Sequence, residues 1–255
     1  MLRAFFDARP EAVFYEQQVA VHLESRFFHW ITKRALESLA EEGRLSTTKL
    51  PLLDAEDTKG GEEGTEIRFY WHPKMRSWKR KALRTVRLVR EIGAGKFGKA
   101  LGAHAESQFD AALAGVGFTW KGRDVREWNG VIWPTGRELD RVYARDAVEY
   151  GAEIKNTLGY IPKGELDEKI RMCRAFGLRP LVIARSLPKH YVNILYEAGG
   201  YGLIFGQQLY PYGQERLAAR VTSELGYPTA TEPATRHVRR FVDWHIAKMG
   251  QPKTM

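Results

Sequence analysis

The chain holds one cysteine, Cys173, in 255 residues, so no internal disulfide can form. Cys173 sits among Ile170, Met172 and Phe176 in a helical pattern, which predicts a buried, inert thiol. The histidines, His22, His29, His72, His104, His190, His237 and His245, show no His-x-x-x-His or His/Cys spacing, and this argues against zinc. No apolar run approaches the ~20 residues that cross a bilayer. The opening stretch carries an acid, Asp7, too early and an apolar run too short for a secretory signal. The expectation is a protein with no membrane partner and a cytoplasmic location, nucleoid-associated if prokaryotic. Acids are scarce from Trp71 to Lys99, where Glu91 stands alone against Lys74, Arg76, Lys79, Arg80, Lys81, Arg84, Arg87, Arg90, Lys96 and Lys99. The Gly93–Gly98 run lacks the Gly-Lys-Ser/Thr pattern of a phosphate loop.

What is present is an ordinary globular composition, 44% apolar and 28% charged, with a net charge of +9. That length and composition can bury a core in one or two domains. The basic balance favours polyanions such as nucleic acid. A membrane surface is a poorer match, because no strongly apolar face opposes the basic one.

Periodicity divides the chain near residue 98. Glu11 to Glu24 and Phe27 to Glu42 read as helices, the second with Phe28, Ile31, Ala35, Leu36 and Leu39 as a stripe. Arg44 to Leu53 and Glu66 to His72 read as strands around a Gly-rich, acidic loop bearing Asp54, Glu56, Asp57, Glu62 and Glu63. Arg76 to Ile92 reads as a basic helix with Leu83, Val86 and Val89 on its apolar side. Beyond it the order is helix (99–114), strands (117–128, 137–145, 147–156), helix (165–176), strand (178–184), helix (190–198) and strand (202–209). Helices near 214–225 and 234–249 close the chain, the last with Val238, Phe241, Val242 and Met249 on a face able to meet a partner subunit. The pattern is α/β with a mixed sheet.

The chemistry concentrates in Gly136–Lys155. Asp140 lies on one strand, and Glu153-Ile-Lys155 on the next. Strand alternation points Glu153 and Lys155 to one face and Ile154 to the other. A turn between the strands can bring Asp140 beside Glu153. Two carboxylates with an adjacent ammonium suit a hard divalent cation and water activation.

The Asp…Glu-x-Lys spacing, with a helix before and a helix and apolar strand after, resembles the PD-(D/E)xK nuclease superfamily over roughly Lys99 to Leu209. Leucine (Leu139), not proline, precedes the aspartate. The resemblance implies a restriction-endonuclease-like mixed sheet flanked by helices and hydrolysis of DNA by a Mg2+-bound water, with Mn2+ able to substitute. It implies Asp140 and Glu153 as metal ligands, the Ile154 carbonyl as a further ligand, Lys155 to orient or deprotonate water or to stabilise charge, and Glu106 as an extra acid. Helices followed by a strand, a loop and a returning strand resemble a winged helix, with 27–45 as its recognition helix running into the wing. Thr32, Lys33, Arg34 and Glu37 would then be exposed. The expected organisation is a winged-helix-like domain (1–75), a basic connecting helix (76–98) and a nuclease domain with C-terminal helices (99–255). Nucleic-acid contacts are expected at Lys33, Arg34, Arg76, Lys79, Arg80, Arg84 and Arg87, and a homodimer if both strands are cut. A noncatalytic DNA-binding regulator on the same scaffold and a structure- or RNA-directed nuclease are the alternatives.

Around the site, Asn156, Gln207 or Gln208 could face the cleft, and Gly151 and Gly159 could leave room for phosphate. Lys163, Lys169 and Arg171 could clamp a backbone or form a solvated face. Trp120, Trp128 and Trp133 could stack on bases or fill the core.

Overall fold

The structure, a computed structural model, describes residues 1–52, 66–93 and 95–249. The chain forms two compact units, Met1–Lys99 with Arg216–Tyr227, and Ala100–Glu215 with Pro228–Met255.

The first unit runs α1 (Leu2–Asp7), β1 (Val13–Tyr15), α2 (Glu16–Leu23), α3 (His29–Glu41), β2 (Ser46–Pro51), β3 (Glu66–Trp71) and α4 (Trp78–Gly93). Its sheet has the order β1-β3-β2, antiparallel throughout. The central strand β3 buries Phe69, Tyr70 and Trp71. Phe5, Phe6, Val19, Leu23, Leu36 and Leu45 close over Tyr70 as the core. The sequence pattern differs here in two ways. Residues 13–15, expected as the start of a helix, pair with β3 instead, because Val-Phe-Tyr is a strand-forming run that the sheet captures. The short helix α1 was not expected.

The second unit begins within α5 (Gly95–Ala114), at Ala100, and runs through β4 (Thr119–Val125), β5 (Glu127–Trp128), β6 (Val131–Ile132), β7 (Leu139–Arg145) and β8 (Val148–Lys155). It continues with α6 (Lys163–Phe176), β9 (Arg179–Ala184), α7 (Lys189–Glu197), β10 (Tyr201–Ile204) and β11 (Gln208–Leu209), and, after the chain has passed through α8 (Glu215–Leu225), with β12 (Thr229–Ala230) and α9 (Thr235–Met249). The sheet is five-stranded, in the order β10-β9-β8-β7-β4. β4, β7 and β8 are antiparallel, and β8, β9 and β10 are parallel. The two parallel connections carry α6 and α7, as such crossovers require.

Both faces of the sheet are covered, and strand alternation shows which residues serve each. Tyr150, Ala152, Ile154, Leu181 and Ile183 join Phe109 and Leu113 of α5 and Val238 and Phe241 of α9. Val182 and Ala184 meet Leu166 and Ile170 of α6 and Leu195 of α7. Each large side chain buried this way stabilises by ~1.5–3 kcal/mol. The apolar stripe of α9 is therefore spent on its own sheet: Val238 and Phe241 are in the core and Val242 packs against it. His245 of α9, fully buried, joins Tyr150 Oη to its Nδ1 at 2.7 Å and Asp146 Oδ2 to its Nε2 at 3.0 Å.

Helix α8 departs from the expected domain assignment, since all but its first residue group with the first unit. Its buried face is Leu217, Ala218, Val221 and Leu225, and surface ion pairs link it to α4, Glu224 with Arg84 at 3.0 Å and Arg220 with Glu91 at 3.0 Å.

Helix α6 ends at Gly177, whose left-handed backbone (φ 72°) lets its N–H reach the carbonyls of Cys173 and Arg174. On β8, a Cβ at Gly151 would lie 2.6 Å from Cys173 Sγ and 2.7 Å from Leu139 Cδ1. Gly151 thus makes room for α6, not for phosphate. Cys173 is buried against it, and burial pushes its thiol up to about 12, so it is inert as expected.

Candidate active site

The site is built on neighbouring strands. β7 and β8 pair antiparallel with Arg141 opposite Ala152 and Val142 opposite Gly151. One further step of this register sets Asp140 across from Glu153. The Ile154 N–H donates to Asp140 Oδ2 at 2.6 Å and ties that carboxylate to β8. Glu153 is only 2% exposed. Lys155, two residues on and on the same face, places Nζ 2.7 Å from Glu153 Oε1. The structure therefore brings Asp140, Glu153 and Lys155 together, while the Ile154 side chain enters the core on the opposite face.

Helix α6 adds two groups: Glu165, which the sequence did not mark, and Lys169, expected as a backbone clamp or on a solvated face but buried against Glu153. Glu165 Oε1 is 2.8 Å from Lys155 Nζ, and Lys169 Nζ is 2.5 Å from Glu153 Oε2. Lys169 also donates to the Glu138 carbonyl, just ahead of β7. Glu165 and Lys169 are four residues apart, so one helix face presents both. A charge-matching signal existed in the sequence: Glu-x-Lys on the strand meets Glu-x-x-x-Lys on the helix.

Electrostatics follow from this packing. Burial raises the Asp140 carboxyl, against the pull of the Ile154 N–H and of Lys169 and Lys155. Burial also raises Glu153, and the neighbouring Asp140 charge pushes it the same way. For Lys155, burial works against the ammonium, but Glu153 and Glu165 outweigh it and hold its pKa above the usual lysine value. Glu165 is pushed up by burial, yet Lys155 and Lys169 leave it net below the ordinary carboxylate range. Lys155 is thus a firm cation and hydrogen-bond donor, and the deprotonating role allowed by the sequence reading is not its resting state.

Glu106 on α5 is half-buried and engaged elsewhere. Its Oε2 is 2.9 Å from Arg141 Nη2 and 3.7 Å from Arg123 Nη2. Arg141 in turn holds Asp110 at 3.1 Å. The Glu106 charge still contributes to raising Asp140.

Two carboxylates, close enough that the Asp140 charge raises the proton affinity of Glu153, suit a hard cation, which would relieve that repulsion. Among the described residues no group of three or more His, Cys, Asp or Glu side chains is set to hold a metal. The third donor expected here, the Ile154 carbonyl, is main chain and lies outside such a grouping.

The flanking residues take varied places. Asn156 is buried and structural: its Nδ2 donates to the carbonyls of Leu101 and Leu209, and its Oδ1 accepts from the Leu209 N–H. Gln208 is buried and donates to the Asn156 carbonyl, so neither faces a cleft. Gln207 donates to the Thr229 carbonyl. The last strand breaks after Ile204, and Gln208–Leu209 pairs with β12 instead. Lys163 pairs with Asp167 on the surface and Arg171 is exposed. Trp120 is exposed, whereas Trp128 and Trp133 pack on the core and donate to Glu149 and Glu168.

In the first unit, Lys33 and Arg34 are exposed, and Lys33 lies 3.5 Å from Glu16. Thr32, expected outside, is buried at 2%, and Glu37 is half-buried on Arg68 at 3.0 Å. The buried side of α3 is rotated from the expected stripe toward Thr32 and Leu36. On α4 the buried side is Ala82, Val86 and Leu88, and Leu83 is exposed. Arg76, Lys79, Arg80, Arg84 and Arg87 are exposed, and Arg84 is paired with Glu224. The acidic loop at Asp54–Glu63 and the Met249 side chain lie outside the described residues. Among the described residues no helix is long and apolar enough to cross a membrane. Comparison with protein-family models, curated proteins and solved structures finds no match.

Proposed function

We propose that this chain is a divalent-cation-dependent nuclease that hydrolyses DNA phosphodiester bonds, with its first unit aiding recognition of DNA or of a partner. The observation that carries the reading is the convergence of Asp140, Glu153 and Lys155 on adjacent strands. Support comes from the element order α5-β4-β7-β8-α6-β9-α7-β10 and the mixed sheet, which agree with a PD-(D/E)xK core. The order α1-β1-α2-α3-β2-β3 with sheet order β1-β3-β2 supports a winged-helix reading of the first unit.

Asp140, Glu153 and the Ile154 carbonyl would hold a magnesium ion, with manganese as a substitute. The ion would supply charge neutralisation at the phosphate and make water a better nucleophile. The chain's own residues do the rest. The Ile154 N–H aims Asp140. Lys155, held protonated, donates to water or to a phosphate oxygen on which charge grows. Exposed Lys79, Arg80 and Arg87 would supply sequence-independent attraction to the phosphate backbone. Cutting both strands of a duplex needs two such sites, and a homodimer would provide them.

One observation favours a second reading, a noncatalytic DNA-binding protein on this scaffold: Glu153 already carries a lysine on each oxygen. Cleavage assays separate the two. Plasmid, linear, branched and single-stranded DNA and RNA are incubated with Mg2+, with EDTA, and with Asp140→Asn and Lys155→Ala variants. The nuclease reading expects cutting that EDTA abolishes and each substitution lowers by about 10²-fold or more. DNA binding without cutting under every condition leaves the second reading.

A further inference from the structure

Lys169 costs more to bury than a helix needs to spend. It is 6% exposed, and the other buried residues of α6 are all apolar: Leu166, Ile170, Met172, Cys173 and Phe176. An ammonium in that position persists only with strong partners. Its partners flank the carboxylate pair: Glu153 Oε2 on β8 at 2.5 Å, and the Glu138 carbonyl at the entry to β7. Lys155 already occupies Glu153 Oε1 and shares itself with Glu165. Glu153 and Glu165 are thus matched by Lys155 and Lys169, and Asp140 is the acid left over. A divalent ion at Asp140 and Glu153 would meet a lysine on either Glu153 oxygen, and Lys169 is the more buried of the two.

We propose that Lys169 is a second lysine of this site, one that occupies Glu153 Oε2 in the metal-free protein and competes with the divalent ion for that oxygen. The proposal rests on the cation site read at Asp140 and Glu153. It makes Lys169 a setting on metal demand: the ion binds only by displacing or repelling an ammonium already in place. A purely structural lysine would behave oppositely, since its loss would loosen Glu153 and weaken the ion's site.

The test is Mn2+ binding to the full chain by calorimetry, with wild type, Lys169→Met, Lys169→Gln and Asp140→Asn. Loss of the competing charge is expected to tighten Mn2+ binding by about tenfold or more, and Asp140→Asn to weaken it. Should either Lys169 variant fold and bind Mn2+ no better than wild type while Asp140→Asn still weakens binding, the proposal falls and the cation site stands. If wild type and every variant bind no Mn2+, the cation reading falls and takes the proposal with it. A measurement on wild type alone guards against variants that fail to fold. Amine-directed acylation, mapped by mass spectrometry, is expected to rise at Lys169 when Mn2+ is added, and unchanged labelling in Mn2+-bound protein overturns the competition.

Discussion

Replacing Asp140 with asparagine is expected to stabilise the metal-free protein while destroying its proposed activity. Asparagine keeps an oxygen to accept the Ile154 N–H, a bond of 2.6 Å in the native site. It removes the half-buried acid that exceeds the two lysines in the charge count of the site. Asp140 has a raised folded pKa, chiefly because it is buried. A raised folded pKa gives stability that is complete below the unfolded value, near 3.9 for Asp, and is lost as pH climbs through the folded value. The wild type therefore falls progressively behind the variant as pH rises from about 4 toward neutrality. Glu153 is also raised, by its burial and by the Asp140 charge, so removing that charge eases Glu153 as well and acts in the same direction. Removing an electrostatic penalty at a functional site typically gains about 0.5–2 kcal/mol. For a protein of this size each kcal/mol moves Tm by about 2–4 °C. Thermal melts in EDTA from pH 4 to 8 measure this directly, and a second series in Mg2+ is expected to raise the wild type alone. A variant that melts below wild type at every pH, or a gap that does not widen with pH, refutes the reasoning.

His245→Phe keeps most of the volume and strands the Tyr150 hydroxyl, costing about 1–3 kcal/mol by denaturant titration. Adding Tyr150→Phe is expected to recover much of that loss, because both partners are then apolar; strictly additive effects would show that the 2.7 Å bond carries no coupling. Arg80→Glu with Arg87→Glu on α4 is expected to weaken DNA binding and to reduce the dependence of log K on log salt by about 2, measured by fluorescence anisotropy. An unchanged salt slope would place the phosphate contacts elsewhere.

The sequence carried the alternation of the second unit well, because each sheet face imposes period 2 and each crossover helix a longer period. Tyr150, Ala152 and Ile154 against Gly151, Glu153 and Lys155 are legible from spacing alone, and so is the strand pair that meets at Asp140. The first unit was harder. Val13–Tyr15 is too short to show a period, and only its pairing with β3 makes it a strand. Thr32 reads as surface by composition, but the rotation of α3 is set by what packs on Leu36. Glu165 and Lys169 were ambiguous for a related reason. A charged helix face and a buried ion-pair face have the same spacing until the strand beneath is known. The grouping of α8 with the first unit brings together residues more than a hundred positions apart, such as Arg220 and Glu91, which no local pattern foretells.

Position 151 decides how low α6 can ride over the sheet. With hydrogen in place of a methyl group there, the sulfur of Cys173 settles onto the strand backbone, and the turns at 165 and 169 come down with it. The reach of two charged side chains to the acids below is thus gauged by an atom the chain omits. Lifting the helix by even one methyl radius would open those contacts before it disturbed a single strand.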